Sequence, residues 1–252
     1  MKVIIINALK ERVRRKELYF VVVIGILLLL FCSSDNTSIT MDGEPLTGFK
    51  NMFMIMHTLV NAFGVILAVI LSMRTIPNEY ERKNSHLVWV RGISQPKYHG
   101  GLAVANILAS VFAAGILYVV LAVYAVIHGH AGYLPKLIPA FMMVTVSISL
   151  VSLFVSVLSI KLPGMIVGGL GALFAGIGVF HGIFDLLKSV VGGPGGKCIS
   201  VFLWLVPDLN GIQKQAYNLI IGKTVEWHLI WTGLLAVWVI SSGLFLIKRK
   251  EA

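Results

Sequence analysis

Long apolar runs recur along this chain, and they leave few folds open to it. The stretches 18–34, 52–73, 101–127, 137–160, 164–187 and 227–247 are each close to the length, about 20 residues, that carries a helix across roughly 30 Å of hydrocarbon. Inside lipid every backbone N–H and C=O must find a partner within the protein, so such runs fold as helices or belong to a closed barrel. These are too long and too continuous for barrel strands of about ten alternating residues. Composition agrees: 57% of the 252 residues are hydrophobic, and mean hydropathy is +0.88. Only 13% are charged, against about 25% in a soluble domain. The expected fold is an all-α polytopic membrane protein, one transmembrane domain over residues 1–252.

The net charge of +10 would suggest nucleic acid as the partner of a soluble protein. Here its distribution points to the bilayer instead, because basic residues concentrate in cytoplasmic loops of membrane proteins. With six spans, Lys2, Lys10, Arg12, Arg14, Arg15, Lys16, Arg74, Arg82, Lys83, Arg91, Lys97, Lys161, Lys248, Arg249 and Lys250 fall on one side, 15 of the 21. The other side holds Lys50, Lys136, Lys188, Lys197, Lys214 and Lys223. This asymmetry predicts a multi-pass protein with both termini and residues 74–99 in the cytoplasm, and the expected location is a cell membrane, bacterial in origin. Residues 1–17 read as an interfacial helix, its basic residues meeting anionic headgroups while Ile5, Ile6, Leu9 and Val13 face acyl chains. No small-residue cleavage site follows Phe31, where the chain reads "CSSDNTSIT", so a signal peptide is not expected.

The chain lacks the constellations that catalysis or metal binding requires. "GGPGGKC" at 192–198 resembles a phosphate-binding loop only in part: Val191 stands where the first Gly belongs, and Cys198 where Ser or Thr should follow the Lys. "GGLGALFAG" at 168–176 has the wrong spacing for a dinucleotide fingerprint. No H-E-x-x-H, no C-x-x-C and no paired intramembrane carboxylates occur. Met52, Met56 and His57 form the best soft-metal set, and thioethers serve equally as core filler. Cys32 and Cys198 both fall towards the outer side, where a disulfide is geometrically possible and two unrelated buried thiols are the favoured reading. Neither an enzyme nor a metal site is expected.

Three spans carry seams of small or polar residues at steps of three and four, the spacing that keeps one helix face. They are His57, Asn61, Gly64, Ala68 and Ser72; Thr145, Ser149, Ser152, Ser156 and Ser159; and Gly164, Gly168, Gly171, Ala175, Gly178 and Gly182. Small residues let membrane helices approach closely, and polar ones bond across helices. Intramembrane polar residues usually face a bundle interior or a water-filled cavity. The candidate pathway or helix-interface residues are therefore His57, Asn61, Ser149, Ser152, Gly168, Gly171, Gly178 and His181. Between the fifth and sixth spans, about 188–226, "CISVFLWLVPDL" is too short to cross and ends at Pro207, which predicts a re-entrant or interfacial piece on the outer face.

The loop between the second and third spans reads "RTIPNEYERKNSHLVWVRGISQPKYHGG". Pro77 suits the first turn of a helix, with Glu79 and Glu81 early and Lys83 later. Ile76, Glu79, Glu81, Asn84-Ser85, Leu87 and "RGISQPKYHGG" follow one another in an order that resembles the ABC-2-type permeases, the membrane subunits of ATP-binding-cassette exporters. Gln95 stands where these permeases commonly have Arg, and Gly100-Gly101 where Gly-Lys is frequent. "LWLVPDLNGIQKQAYNLI" is similar to their stretch before the last span, and "FLIKRKEA" to their basic exit.

That resemblance implies a permease subunit working as one of two copies, or beside a related permease, with a separate cytoplasmic ATPase that binds ATP and Mg. It implies no cofactor in this subunit. It also implies that residues 78–90 form a coupling helix, which makes Glu79, Tyr80, Glu81, Arg82, Lys83 and Leu87 the ATPase-coupling residues. A non-transporting immunity or regulatory subunit with the same fold is the alternative. An ion channel or secondary carrier is disfavoured because the expected spans hold no Asp or Glu apart from Asp185, near the outer end of the fifth.

Overall fold

Two polar breaks in the apolar sequence, at Lys16 and at residues 34–47, set the first elements. The computed structural model describes residues 1–14, 16–33, 40–41, 44–45, 48–82, 90 and 92–247. Helix α1 (Lys2–Arg14) turns at Lys16, whose φ is 58°, into α2 (Glu17–Ser33). A two-residue strand pair follows, β1 (Thr40–Met41) with β2 (Glu44–Pro45), antiparallel. Then come α3 (Phe49–Met73), α4 (Thr75–Glu81), α5 (Gln95–Ile127), a 3-10 turn at Ala131–Tyr133 and α6 (Leu134–Leu158). The chain continues through α7 (Gly164–Val179), α8 (His181–Val191), α9 (Gly193–Leu205), α10 (Leu209–Ile221) and α11 (Trp227–Leu246).

The centre of the bundle is α3, α5 and α6, packed on one another along their lengths. Their contact faces combine small residues with large ones: Gly64, Ala68, Ala109, Ala113 and Ala114 lie beside Leu117, Ile148 and Val151. A Cβ on Gly64 would sit 3.5 Å from Ile148 and 3.6 Å from Ala114, ordinary contact distances, so these backbones approach closely without overlap. Around the centre, α1 and α2 lie on α5, α7 lies on α3, and α10 and α11 lie on α6. A second, smaller apolar cluster (Ile76, Tyr98, Leu102, Leu153, Ile160 and Leu244) closes the α4 end of the bundle.

Of the six expected spans, four are long and apolar enough to cross: Phe49–Glu81, Gln95–Ile127, Ala131–Leu158 and Trp227–Leu246. Of the first expected span, 18–34, the described residues give a shorter apolar helix, Tyr19–Phe31, which rises about 20 Å and follows the turn at Lys16. The fifth, 164–187, is not one helix: α7 and α8 meet at 78° across Phe180 and amount to one crossing only as a bent pair. The break falls where Gly176, Gly178 and Gly182 weaken helix propensity and where polar His181, Asp185 and Lys188 begin. Among the described residues the chain thus has four membrane-length helices, or five with the bent pair.

The long segment before the last helix divides at Val206–Pro207. Helix α9 packs on α8 and buries little besides Gly196, whereas α10 sinks Leu209, Ile212, Ala216 and Ile220 into the core. Asp208 caps α10 by accepting from the Gly211 N–H at 2.7 Å. Gly222, with φ 78°, ends it in the left-handed conformation that glycine adopts without strain. Met52 and Met56 are core side chains, and Cys198 is an exposed free thiol. The Cys32 side chain lies outside the described residues.

Candidate functional site

Of the segment expected to couple, 78–90, the described residues are 78–82 and 90, and its first residues belong to α4. Only Arg74 separates α3 from α4, and Pro77 falls in the first turn of α4. Ile76 and Pro77 are buried and fasten the underside of the helix, which leaves Glu81 and Arg82 exposed. Lys83 and Leu87 lie outside the described residues. Three polar contacts hold α4 in place. The Tyr98 hydroxyl donates to Glu79 Oε2 at 2.6 Å, and Tyr80 and His99 Nε2 share a hydrogen bond of 2.7 Å. Arg82 reaches Glu11 of α1 at 2.7 Å, a half-exposed pair that adds about 1 kcal/mol at most.

A buried polar ladder starts directly beneath. Arg12 was expected to face headgroups; instead it is 6% exposed, and its guanidinium donates to Thr75 Oγ1 at 2.6 Å and to Asn106 Oδ1. A charge this buried is tolerable only with several partners, and the α4 end supplies them. Asn106 passes the connection on, donating from Nδ2 to Ser156 Oγ at 2.7 Å. Ser156 in turn donates to the Ser152 carbonyl at 2.7 Å, and the hydroxyls of Ser152 and Ser72 lie 2.8 Å apart. The ladder therefore ties α1, α4, α5, α6 and α3 together at one end of the bundle. Of the α6 seam, Ser152, Ser156 and Ser159 are fully buried, whereas Thr145 and Ser149 are only partly so. Ser147 is the buried hydroxyl higher on that helix.

A second polar cluster occupies the opposite, α10 end. His57 and Asn61, one helical turn apart on α3, bond each other at 3.1 Å through His57 Nδ1 and Asn61 Nδ2. The Tyr118 hydroxyl of α5 stands 3.2 Å from both Asn61 Oδ1 and His57 Nε2. All three side chains are buried. The Tyr217 ring of α10 lies tilted against the His57 ring, centroids 5.6 Å apart, and its hydroxyl donates to the Lys50 carbonyl at 3.4 Å. Burial, with Tyr133 adding to it, pushes the Tyr217 phenol above its ordinary pKa, so it remains a protonated donor. Between the two clusters α3 presents Gly64, Val65 and Ala68 to apolar neighbours, so a dry layer divides the polar ends.

The glycine seam lies along a different contact. On α7 a Cβ at Gly168 would stand 2.7 Å from Met73 Sδ, and one at Gly171 would stand 2.6 Å from Val155 and 3.1 Å from Val69. At Gly178 it would meet Leu209 at 2.6 Å and the Pro207 carbonyl at 3.2 Å. The seam thus fits α7 against α3, α6 and the start of α10. Gly182 and His181 do not share this face, since the bend at Phe180 carries them onto α8.

Members of these clusters that escaped the sequence reading include Arg12, Thr75, Tyr98, His99, Asn106, Tyr118 and Tyr217. Asn106 and Tyr118 carried a usable signal, because each is a polar or hydroxyl-bearing residue well inside an apolar run. Arg12 carried none, being one of five basic residues close together. Among the described residues no group of three or more His, Cys, Asp or Glu could hold a metal ion. Comparison with known protein families finds no matching family model, and comparison with curated proteins finds no matching relative. What rests on composition and on the long apolar helices is a multi-pass helical membrane protein.

Proposed function

We propose that this chain is the permease subunit of an ATP-binding-cassette exporter, moving a substrate by alternating access. A separate ATPase supplies the energy, binding ATP and Mg, and this subunit performs no covalent chemistry. The α4 end faces the cytoplasm of a bacterial cell together with both termini, in keeping with the basic residues of α1, Arg74 and Arg82 beside α4, and Lys161 gathered there. A second copy, or a related permease, completes the transporter.

The observation that carries this reading is the fastening of α4. A seven-residue helix sits at the basic end of a membrane bundle, flanked by Arg74 and Arg82, with Glu81 turned outward. Consecutive residues Glu79 and Tyr80 bond consecutive residues Tyr98 and His99 at the start of α5. A push on α4 therefore moves α5 directly, and through Thr75, Arg12 and Asn106 it reaches the ladder between α3 and α6. The dry layer near Gly64 and Ala68 is the barrier such a movement would open.

The test is isolation of the tagged chain from its native membranes with whatever ATPase accompanies it. The expected result is a stoichiometric ATPase whose hydrolysis rate depends on this chain, and whose attachment weakens when Glu79 and Glu81 are both changed to Lys. Isolation without an ATPase, or an attachment indifferent to that change, would overturn the reading.

A further inference from the structure

Helix α10 has two sides of opposite character, an apolar one that is buried and a polar one of which only Gln213 is buried. Leu209, Ile212, Ala216 and Ile220 enter the core, while Asn210, Gln213, Lys214, Tyr217 and Asn218, at steps of 3, 1, 3 and 1, share the adjoining face. That polar face looks across at His57 and Asn61 of α3. Together with Lys223, just past the helix, they enclose a cavity of about 290 Å³.

Two features separate this cavity from an ordinary solvated helix face. Gln213 is 5% exposed, and its side-chain Nε2 has no hydrogen-bond partner among the described residues. A buried donor left without an acceptor costs about 1–3 kcal/mol, so the site calls for an acceptor from outside the chain. The lining is also charged in one sense only: Lys214 and Lys223 contribute ammonium groups, and among the described residues no carboxylate joins them. Asp208, the nearby acid that caps this helix, is turned to the Gly211 N–H. Lys50 belongs to the same neighbourhood through its carbonyl contact with Tyr217, and Lys136 Nζ lies 3.6 Å from where a Cβ on Gly222 would stand. Four of the six lysines expected on the outer side therefore collect around one helix.

We propose that this cavity binds a phosphate group, carried by a lipid headgroup or free in solution. A carboxylate presents two oxygens in one plane. A phosphate presents three or four in a tetrahedral spread, which suits donors arriving from α10 and from the turn at 222–223. The Gln213 amide and the two ammonium groups supply the charge-assisted bonds, and Asn218 lies beside them on the same face. Such a site stands whether or not the chain is a permease, and no ATPase enters its test.

The experiment is titration of the purified full chain in neutral detergent with three probes, followed by calorimetry. The probes are inorganic phosphate, dihexanoyl phosphatidic acid and dihexanoylglycerol, which has the same tails without the phosphate. Binding of both phosphate probes assigns the free anion as sufficient; binding of phosphatidic acid alone assigns the lipid headgroup. K214Q/K223Q and Q213E should each weaken that binding about tenfold or more, whereas K188Q/K197Q, which removes equal charge from α8 and α9, should leave it unchanged. Circular dichroism of each variant checks that the helices persist, and Gln213→Asn serves as a milder change should Gln213→Glu fail to fold. Failure of both inorganic phosphate and phosphatidic acid to bind, binding of dihexanoylglycerol equal to that of phosphatidic acid, or equal loss in K188Q/K197Q would each overturn the proposal.

Discussion

Glu79 and Tyr98 are joined by a 2.6 Å hydrogen bond, phenol to carboxylate, between the last turn of α4 and the first turn of α5. Nineteen residues of chain separate them, so the bond fixes a geometry that the connection alone would not. Tyr98→Phe keeps the ring in its apolar cluster and removes only the donor. The expected cost is about 1 kcal/mol, with a coupling of similar size between Tyr98→Phe and Glu79→Gln in a double-mutant cycle. Thermal unfolding in detergent measures it; strict additivity of the two changes would show that the bond does not form.

Arg12 gives a larger effect. Replacement by Leu leaves Asn106 Oδ1 without its donor inside the bundle and removes a side chain that two helices have closed around. Loss of about 1–3 kcal/mol is expected. Arg14→Lys and Lys10→Gln, both on the exposed side of α1, should each fall within about 0.5 kcal/mol of the unaltered chain. Equal stability of Arg12→Leu and the Lys10→Gln control would return Arg12 to the membrane surface.

The α7 seam separates glycines by their neighbours. Gly171→Leu and Gly178→Leu drive a side chain into Val155 or Leu209 and should destabilise by about 1–3 kcal/mol or more. Gly176 has open space where a Cβ would go, so Gly176→Ala should be neutral or stabilise by up to about 1 kcal/mol. Leu173→Ala, on an exposed face, is the reference. Chemical denaturation in mixed micelles ranks the four; a Gly171 variant as stable as the Leu173 variant would contradict the packing.

Orientation is open to thiol labelling in a Cys32→Ser/Cys198→Ser background. A cysteine at Asn210 should react with an impermeant reagent applied to intact cells, and one at Glu81 only after the cells are opened. Both positions are exposed in the folded chain. Reversed accessibility would invert the assignment drawn from the basic residues.

The faces of the helices were legible in the sequence, while their partners were not. Polar residues spaced by three and four announced that His57, Asn61 and Ser72 share a side of α3, and all three are buried. Nothing in that spacing names Tyr118 or Ser152 as the groups they meet, because periodicity describes one helix at a time. Arg12 shows the same limit from the other direction: basic residues flanking a span normally reach for headgroups, and only tertiary packing turned this one inward. Hydropathy could not mark the bend at Phe180, since apolar residues continue on both sides of it. The unbroken glycine spacing across that point suggested one straight seam where there are two helices.

The bend has a consequence for the surrounding lipid. Helix α7 has 16 residues and rises about 24 Å, several ångströms less than a typical hydrocarbon core. Beyond Phe180 the chain turns aside, presenting Ile183, Leu186 and Val190 of α8 and Phe202, Trp204 and Leu205 of α9 at its surface. A bilayer meeting a short helix roofed by apolar side chains relieves the mismatch by dimpling rather than by leaving those groups in water. The protein would then carry a thinned annulus on one flank, and it should settle preferentially among shorter-chain lipids there.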